Sequence, residues 1–297
     1  MLCPSMSMIV STMGGMSVRR ITVAAATLAL LATGLTAAAP QAQAATSVPV
    51  FDHIVLVMFE NKANSQITSS SAPYFTSLAA QGAKFSQSYA ITHPSQPNYI
   101  ALLSGATQGV SSDSCPQSFS VENLAHQVSA AGLTFTGYSE SMPSDGYTGC
   151  SSGTYMRKHN SWVDFTNVPA ASNVTYASFP AAANYASLPT VAFVTPDMCD
   201  DMHDCSIATG NSWLQTNLDA YAQWAKTNNS LLIVTFDEDN SLSLNHIYTA
   251  FVGAHVAAGT YTEKITHYTV LRTIESAYGL TALGGAAGVS PITDVWN

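Results

Sequence analysis

Charge is scarce in this chain of 297 residues: 9% of them are charged, with 9 Lys and Arg against 18 Asp and Glu. So few basic side chains cannot form the positive patch or stripe that nucleic acid requires, and no nucleic-acid partner is expected. Outside the N-terminus no apolar run is long enough to span a bilayer, and the run there is short for one, so no stable membrane anchor is expected. There is no C-x-x-C pair, which argues against a four-cysteine zinc site. The absence of a G-x-S-x-G elbow disfavours a serine hydrolase of the α/β-hydrolase kind. Hydrophobic residues, by contrast, make up 47% of the chain, too many for disorder and enough for a sizeable core.

Arg19 and Arg20 precede the apolar run from Ile21 to Leu35, and small residues follow as far as Ala44. A charged segment, an apolar segment and an A-x-A site together read as an export signal over residues 1–44, cleaved after about Ala44, so the expected location is extracellular. Removing it takes away both arginines and Cys3. Residues 45–297 keep 7 basic against 18 acidic side chains and are expected to form a single domain. Four cysteines remain: Cys115, Cys150, Cys199 and Cys205. An even count in an exported chain suggests disulfides; of three possible pairings, Cys199–Cys205 with Cys115–Cys150 is preferred.

Short apolar runs at 53–58, 133–139, 190–195, 231–236 and 247–253 are rich in β-branched and aromatic residues and do not alternate, which suits strands covered on both faces. Between them Val121, Leu124, Val128 and Ala131 fall on one helical face, as do Leu214, Leu218, Tyr221 and Ala225, and Leu271, Ile274 and Tyr278. The fold class is therefore α/β, a mostly parallel central sheet sandwiched by helices. The stretches 139–153 and 167–188 read as long surface loops. Ligands of such sheets bind beyond the carboxyl ends of the strands, so the polar residues that follow each strand matter most.

Glu60 and Asn61 follow the first strand, and Asp237, Glu238, Asp239 and Asn240 follow the fourth run. Carboxylates packed at the end of a buried strand repel one another, and a hard divalent cation held by carboxylate and amide oxygens would offset them; solvated loop acids and helix caps are the alternative. In "THPSQPNYIALLSG" Pro94 and Pro97 bracket Ser95, with a helix expected from Asn98 onward. A serine just before a helix N-terminus, beside a metal that lowers its pKa, is a plausible nucleophile toward phosphorus, although an N-cap would use the same residue. "TPDMCDDMHDC" presents Asp197, Asp200, Asp201, His203 and Asp204 on a loop that a disulfide would staple. "MRKHNSW" gathers Arg157, Lys158 and His159 in a base-poor chain, which suits an anionic group or a solvated turn. His246 could reach the same edge of the sheet.

Taken in order, "HIVLVMFEN", "THPSQPNYIALLSG", "KHNSWVDF", "FVTPDMCDDMHDCSI", "LLIVTFDEDN", "FVGAHV" and "THYTVLRTIESAYGL" resemble the phosphoesterase family, which unites bacterial and fungal acid phosphatases with bacterial and plant phospholipases C in the alkaline-phosphatase-like superfamily. "HPSQPNY" is more similar to the acid-phosphatase branch. The resemblance implies a metal site at Glu60, Asn61, Ser95, Asp237 and Glu238, with Ser95 also the nucleophile. It implies that His159 and His203 contact the phosphoryl group or protonate the leaving oxygen. Lys158 and Asn98 are expected to bind substrate. Two departures stand out: Ser161 occupies a position where relatives often have proline, and Asp197 one where asparagine is common, adding negative charge near the expected phosphate site.

The expected activity is a secreted, metal-dependent phosphomonoesterase that forms a phosphoserine and takes a small phosphate ester, or a phospholipid headgroup. One divalent ion (calcium, magnesium, manganese or zinc) is the expected cofactor. The alternatives are a phospholipase C or other phosphodiesterase with the same site, which would need a hydrophobic rim to accept lipid, and a non-catalytic secreted binding protein stabilised by calcium.

Overall fold

In the computed structural model of the chain, which describes residues 47–297, the run HIVLVMF forms β1 (His53–Phe59). Its side chains divide with the period of a strand: Ile54, Leu56 and Met58 enter one core, while Val55, Val57 and Phe59 enter another. Two buried faces leave no polar face, which is why the sequence does not alternate. The other strands are β2 (Ala83–Tyr89), β3 (Phe135–Ser139), β4 (Ser151–Ser152), β5 (Tyr155–Met156), β6 (Asn173–Thr175), β7 (Val191–Thr195), β8 (Ser230–Phe236), β9 (His246–Gly253) and β10 (Gly259–Thr266). β4 and β5 form a small hairpin; the other eight form one sheet in the order β10-β2-β9-β8-β1-β7-β3-β6. All neighbours in it are parallel except β9, which runs against both β2 and β8.

The helices are α1 (Pro73–Ala79), α2 (Ser95–Ser104), α3 (Leu124–Ala130), α4 (Ile207–Ala225) and α5 (His267–Ala277). α2, α3 and α5 pack on one face through Ile100, Leu103, Leu124, Leu271 and Ile274. α1 and α4 cover the other through Phe75, Leu78, Leu214, Leu218 and Tyr221. The α/β sandwich with a mostly parallel sheet is as the sequence implies. The export signal expected over residues 1–44, with cleavage after Ala44, lies outside the described residues. Among the described residues no helix is long and apolar enough to cross a membrane.

Some boundaries differ from expectation for local reasons. α2 begins at Ser95, with Pro94 as N-cap, so the helix starts three residues before Asn98. α3 begins at Leu124 because the Asn123 side chain accepts the His126 N–H, which leaves Val121 outside the helix and exposed. The stretch 167–188 holds β6 and 3₁₀ turns at Ala170–Ser172, Tyr176–Ser178 and Ala182–Ser187, so it is more ordered than a plain loop. Both preferred disulfides, Cys115–Cys150 and Cys199–Cys205, are present.

Candidate active site

β1 and β8 are parallel neighbours in register, with Phe59 opposite Phe236, so the residues that follow them, Glu60 and Asp237, emerge side by side. The Asp237 N–H donates to the Phe59 carbonyl (2.9 Å), and both carboxylates are fully buried. Asn61 turns the chain with φ of 49°, which aims its N–H at Asp237 Oδ1 (3.1 Å). Ser95 arrives from the β2 side as the first residue of α2, inside the first turn of the helix rather than before it. Its Oγ donates to Glu60 Oε2 (2.9 Å) and also lies 3.3 Å from Asn61 Oδ1 and 3.4 Å from Glu238 Oε1. Glu60, Asn61 and Glu238 thus converge on the Ser95 hydroxyl, and Asp237 joins them through the Asn61 N–H.

One hydroxyl hydrogen cannot satisfy several acceptors, and the electrostatics register the excess. Burial, then the charges of Asp237 and Asp201, push the Glu60 carboxyl well above the usual carboxylate range. Burial, with Glu238 beside it, pushes Asp237 up to about 7. Burial, with Asp113 nearby, brings Glu238 up to about 7 as well. The Asn61 amide oxygen lies among acceptors; turning the amide over would place its nitrogen 2.7 Å from Glu60 Oε2 and 3.3 Å from Asp237 Oδ1. Either orientation expresses one need, for positive charge or a donor in the middle of an oxygen ring. An all-oxygen set of carboxylates, amide and hydroxyl fits a hard divalent cation. On its far side Glu60 forms a second group with His159 and Asp201, whose ligand atoms lie within 4.8 Å of one another.

The remaining expected residues separate by role. Lys158 Nζ donates to Asp113 Oδ2 (3.0 Å) and approaches His203 Nε2 (3.5 Å). Burial would lower the Lys158 pKa, but the charges of Glu60, Asp113 and Asp237 outweigh it and hold the ammonium protonated. Asp113 Oδ1 also accepts the Gln96 N–H (3.0 Å), so it links Lys158 to the first turn of α2. His203 is half-buried, with Nδ1 on Asp204 Oδ1 (2.7 Å), on the loop closed by Cys199–Cys205. His159 is buried, stacked on Tyr99 at 5.1 Å, with Nε2 3.1 Å from Glu60 and Nδ1 3.2 Å from Asp201. Burial, then the charges of Lys158 and His203, keep its pKa well below the usual imidazole value. Arg157 is spent on structure: its guanidinium holds Asp164 and the carbonyls of Gln117, Thr148 and Val163.

Asn98 has no free end. Its oxygen accepts the N–H groups of Ile91 and Thr92, and its amide donates to the carbonyls of Thr92 and Pro94, so it braces the turn that delivers Ser95. Asp239 folds back on its own loop by accepting from the N–H groups of Ser241, Ser243 and Asn245. Asp197 is equally occupied, by Ser141, Thr154 and the N–H groups of Cys199 and Asp200, so its charge is held by donors. Ser161 donates to the Tyr99 carbonyl (3.2 Å). His246 lies at the expected edge, stacked on Tyr89 and hydrogen-bonded to the Ser86 carbonyl. Four neighbours of the site had no assigned role in the sequence: Tyr99, whose hydroxyl donates to Glu60; His93, paired with Glu238; Asp113; and Asp201. Tyr99 was legible, four residues after Ser95 on one helix face; Asp113, in an irregular loop, carried no signal.

The sequence matches the profile described as the Phosphoesterase family over residues 63–281. The chain belongs to the phosphoesterase family. It is similar to the phosphatidylinositol-3-phosphatase of Mycobacterium tuberculosis, 49% identical over 285 residues that cover 94% of this chain and 95% of that one. It is also similar to the acid phosphatase of Aspergillus fumigatus, 31% identical over 226 residues, 70% of this chain and 51% of that one. The chain thus spans about half the length of that fungal relative. Among solved structures, a protein of the alkaline phosphatase superfamily from Vibrio parahaemolyticus superposes with a TM-score of 0.57 at 13% identity, covering 84% of this chain and 72% of that one. That likeness is one of fold alone. This phosphoesterase is a phosphoric ester hydrolase with phosphatase relatives, which sets aside the reading of a non-catalytic binding protein.

Proposed function

We propose that this phosphoesterase is a secreted, metal-dependent phosphomonoesterase whose substrates are lipid phosphomonoesters of the phosphoinositide kind, cleaved through a phosphoserine at Ser95. The observation that carries the chemistry is the convergence of Glu60, Asn61 and Glu238 on the Ser95 hydroxyl at the first turn of α2, with Asp237 tied to the same group through the Asn61 N–H. The substrate class rests on the near full-length similarity to a phosphatidylinositol-3-phosphatase. Export is supported by the two disulfides, and residues 45–297 would be the single exported domain.

Glu60, Asn61, Ser95, Asp237 and Glu238 would hold one divalent ion, which supplies charge neutralisation at the phosphate oxygens and a more acidic serine. Ser95 gives its proton to the carboxylates around it and attacks phosphorus in line, forming the Oγ–P bond as the ester P–O bond breaks. The first turn of α2 and Lys158 face the non-bridging oxygens. His203, half-exposed and oriented by Asp204, protonates the departing alkoxide. Water then cleaves the phosphoserine with the proton transfers reversed. His159, buried between Glu60 and Asp201, keeps Glu60 in place and is not the acid.

Ser95→Ala is expected to lower turnover of para-nitrophenyl phosphate by at least about a thousandfold while leaving the melting temperature nearly unchanged, since it deletes the nucleophile and one buried hydroxyl. Chelation followed by single-metal add-back should abolish and then restore the wild-type rate. Substantial turnover by Ser95→Ala would remove the serine from its role. A preference for the phosphorylcholine diester over the monoester would move the enzyme to phosphodiester chemistry.

A further inference from the structure

The segment Asn240–Asn245, between the end of β8 and the start of β9, reads NSLSLN and carries no charge. Leu242 and Leu244 project from it at 84% and 93% exposure, the two most exposed large hydrophobic side chains among the described residues. The local backbone does not ask for leucine. Leu244 has φ of 58° and is flanked by Asn245 at 60°, a left-handed conformation that strains a β-carbon residue and suits asparagine or glycine. A leucine that is strained and makes no core contact is not there for the stability of this fold.

The loop is held firmly and at a meaningful place. Asp239 pins it by accepting three of its N–H groups, the Asn245 carbonyl accepts the Ala90 N–H (2.9 Å), and the Asn245 amide donates to the Thr92 carbonyl (2.8 Å). It is thus fastened to the turn that delivers Ser95 and rooted in the segment that carries Asp237 and Glu238. The two leucines, with Ile91, Thr92 and His93, line an open cleft of about 510 Å³, and His93 is itself paired with Glu238.

We propose that Leu242 and Leu244 form a membrane-docking rim that inserts into the surface of a lipid bilayer and so brings a lipid-borne phosphomonoester within reach of Ser95, without themselves touching the phosphate ester. This rests on the phosphomonoesterase reading above and adds to it how substrate is presented. The occupant is a bilayer because the rim borders the mouth of a phosphate-ester site and is uncharged. Residues 45–297 have 7 basic against 18 acidic side chains, so an anionic surface would repel the protein unless apolar side chains hold it there. Withdrawing two exposed leucines from water supplies that attraction.

The test pairs Leu242→Ser with Leu244→Asn, a change the left-handed backbone accepts, in the full exported chain. Rates are measured on phosphatidylcholine vesicles carrying phosphatidylinositol 3-phosphate, on its soluble dibutanoyl form, and on para-nitrophenyl phosphate. The proposal expects the vesicle rate to fall at least about tenfold, with both soluble rates within about twofold of wild type. Equal losses on all three substrates, or no loss on vesicles, would overturn it. So would wild-type dimers that the variant disperses without change in the vesicle rate, because the rim would then be a contact between copies. If the wild type hydrolyses neither soluble substrate, the phosphomonoesterase reading fails instead. Docking is then still read from Leu244→Trp, whose emission should shift to the blue with plain phosphatidylcholine vesicles; an unshifted spectrum overturns the proposal.

Discussion

Tyr99 shows how much of this site is built from behind. Its ring stacks on His159 with planes 11° apart, and its hydroxyl donates to Glu60 Oε1, the oxygen that does not face Ser95. Burial, then the charge of Glu60, push the Tyr99 pKa well above its usual value, so the hydroxyl remains a donor at any working pH. Tyr99→Phe keeps the stacked ring and removes one hydrogen bond to a buried carboxylate, an interaction worth about 1.5–3 kcal/mol. Glu60 Oε1 would then keep only His159 beside it, and Glu60 would be held less firmly in the oxygen ring. The expected result is about a tenfold weaker divalent-ion requirement curve and a comparable loss in kcat, with the fold retained. A metal titration of the variant checks this, and an unshifted midpoint would mean that Glu60 is held by its neighbours alone.

The segment that presents Lys158 and His159 depends on one glycine in a strand far from it in sequence. Gly137 lies in β3 directly beneath the Trp162 ring, and a β-carbon there would fall 2.0 Å from Trp162 Cε2. The ring cannot retreat: its Nε1 donates to Asn173 Oδ1 (2.9 Å) and its edge packs on Phe135 and Phe193. Gly137→Ala is therefore expected to cost about 3 kcal/mol and lower the melting temperature by roughly 5–10 °C, measurable by thermal unfolding. Such a contact is invisible in sequence, where Gly137 reads only as part of an apolar run. The strands that were legible, β1, β3, β7, β8 and β9, are those buried on both faces, because burial writes an unbroken apolar run. β2 and β10 were missed because their half-buried and exposed positions carry Lys84, Gln87, Glu263 and Lys264, and β6 because three residues hold too little pattern. The site was legible for the same topological reason: polar residues that end two adjacent parallel strands must meet. What was not legible is which of them would be used up locally. Asn98 and Arg157 have the right chemistry for substrate, and the fold spends both on turns.

Across the whole molecule, protons and a divalent ion compete for the same oxygens, and this competition makes stability depend on pH in opposite senses with and without metal. Asp237 and Glu238, both brought up to about 7 mainly by burial, hold protons more tightly in the folded chain than in the unfolded one. A raised carboxyl pKa contributes stability that is fully present below the ordinary carboxylate range and is lost as pH rises through about 7. With a chelator present, the melting temperature should therefore fall between about pH 4 and pH 7. A divalent ion binds only the deprotonated set, so its stabilisation grows over the same interval; at a hundred times its dissociation constant it amounts to about 2.7 kcal/mol, several degrees in a domain of this size. The metal-induced rise in melting temperature should accordingly be large near pH 8 and small near pH 5. The protein's general acidity also weakens the fold as pH rises, but that repulsion is spread over the surface and is screened by salt. The Asp237→Asn, Glu238→Gln variant separates the two effects: it should lose the metal-induced rise at every pH and flatten the chelated profile even at low salt. An equal metal-induced rise at both pH values in the wild type would place the ion at oxygens other than these.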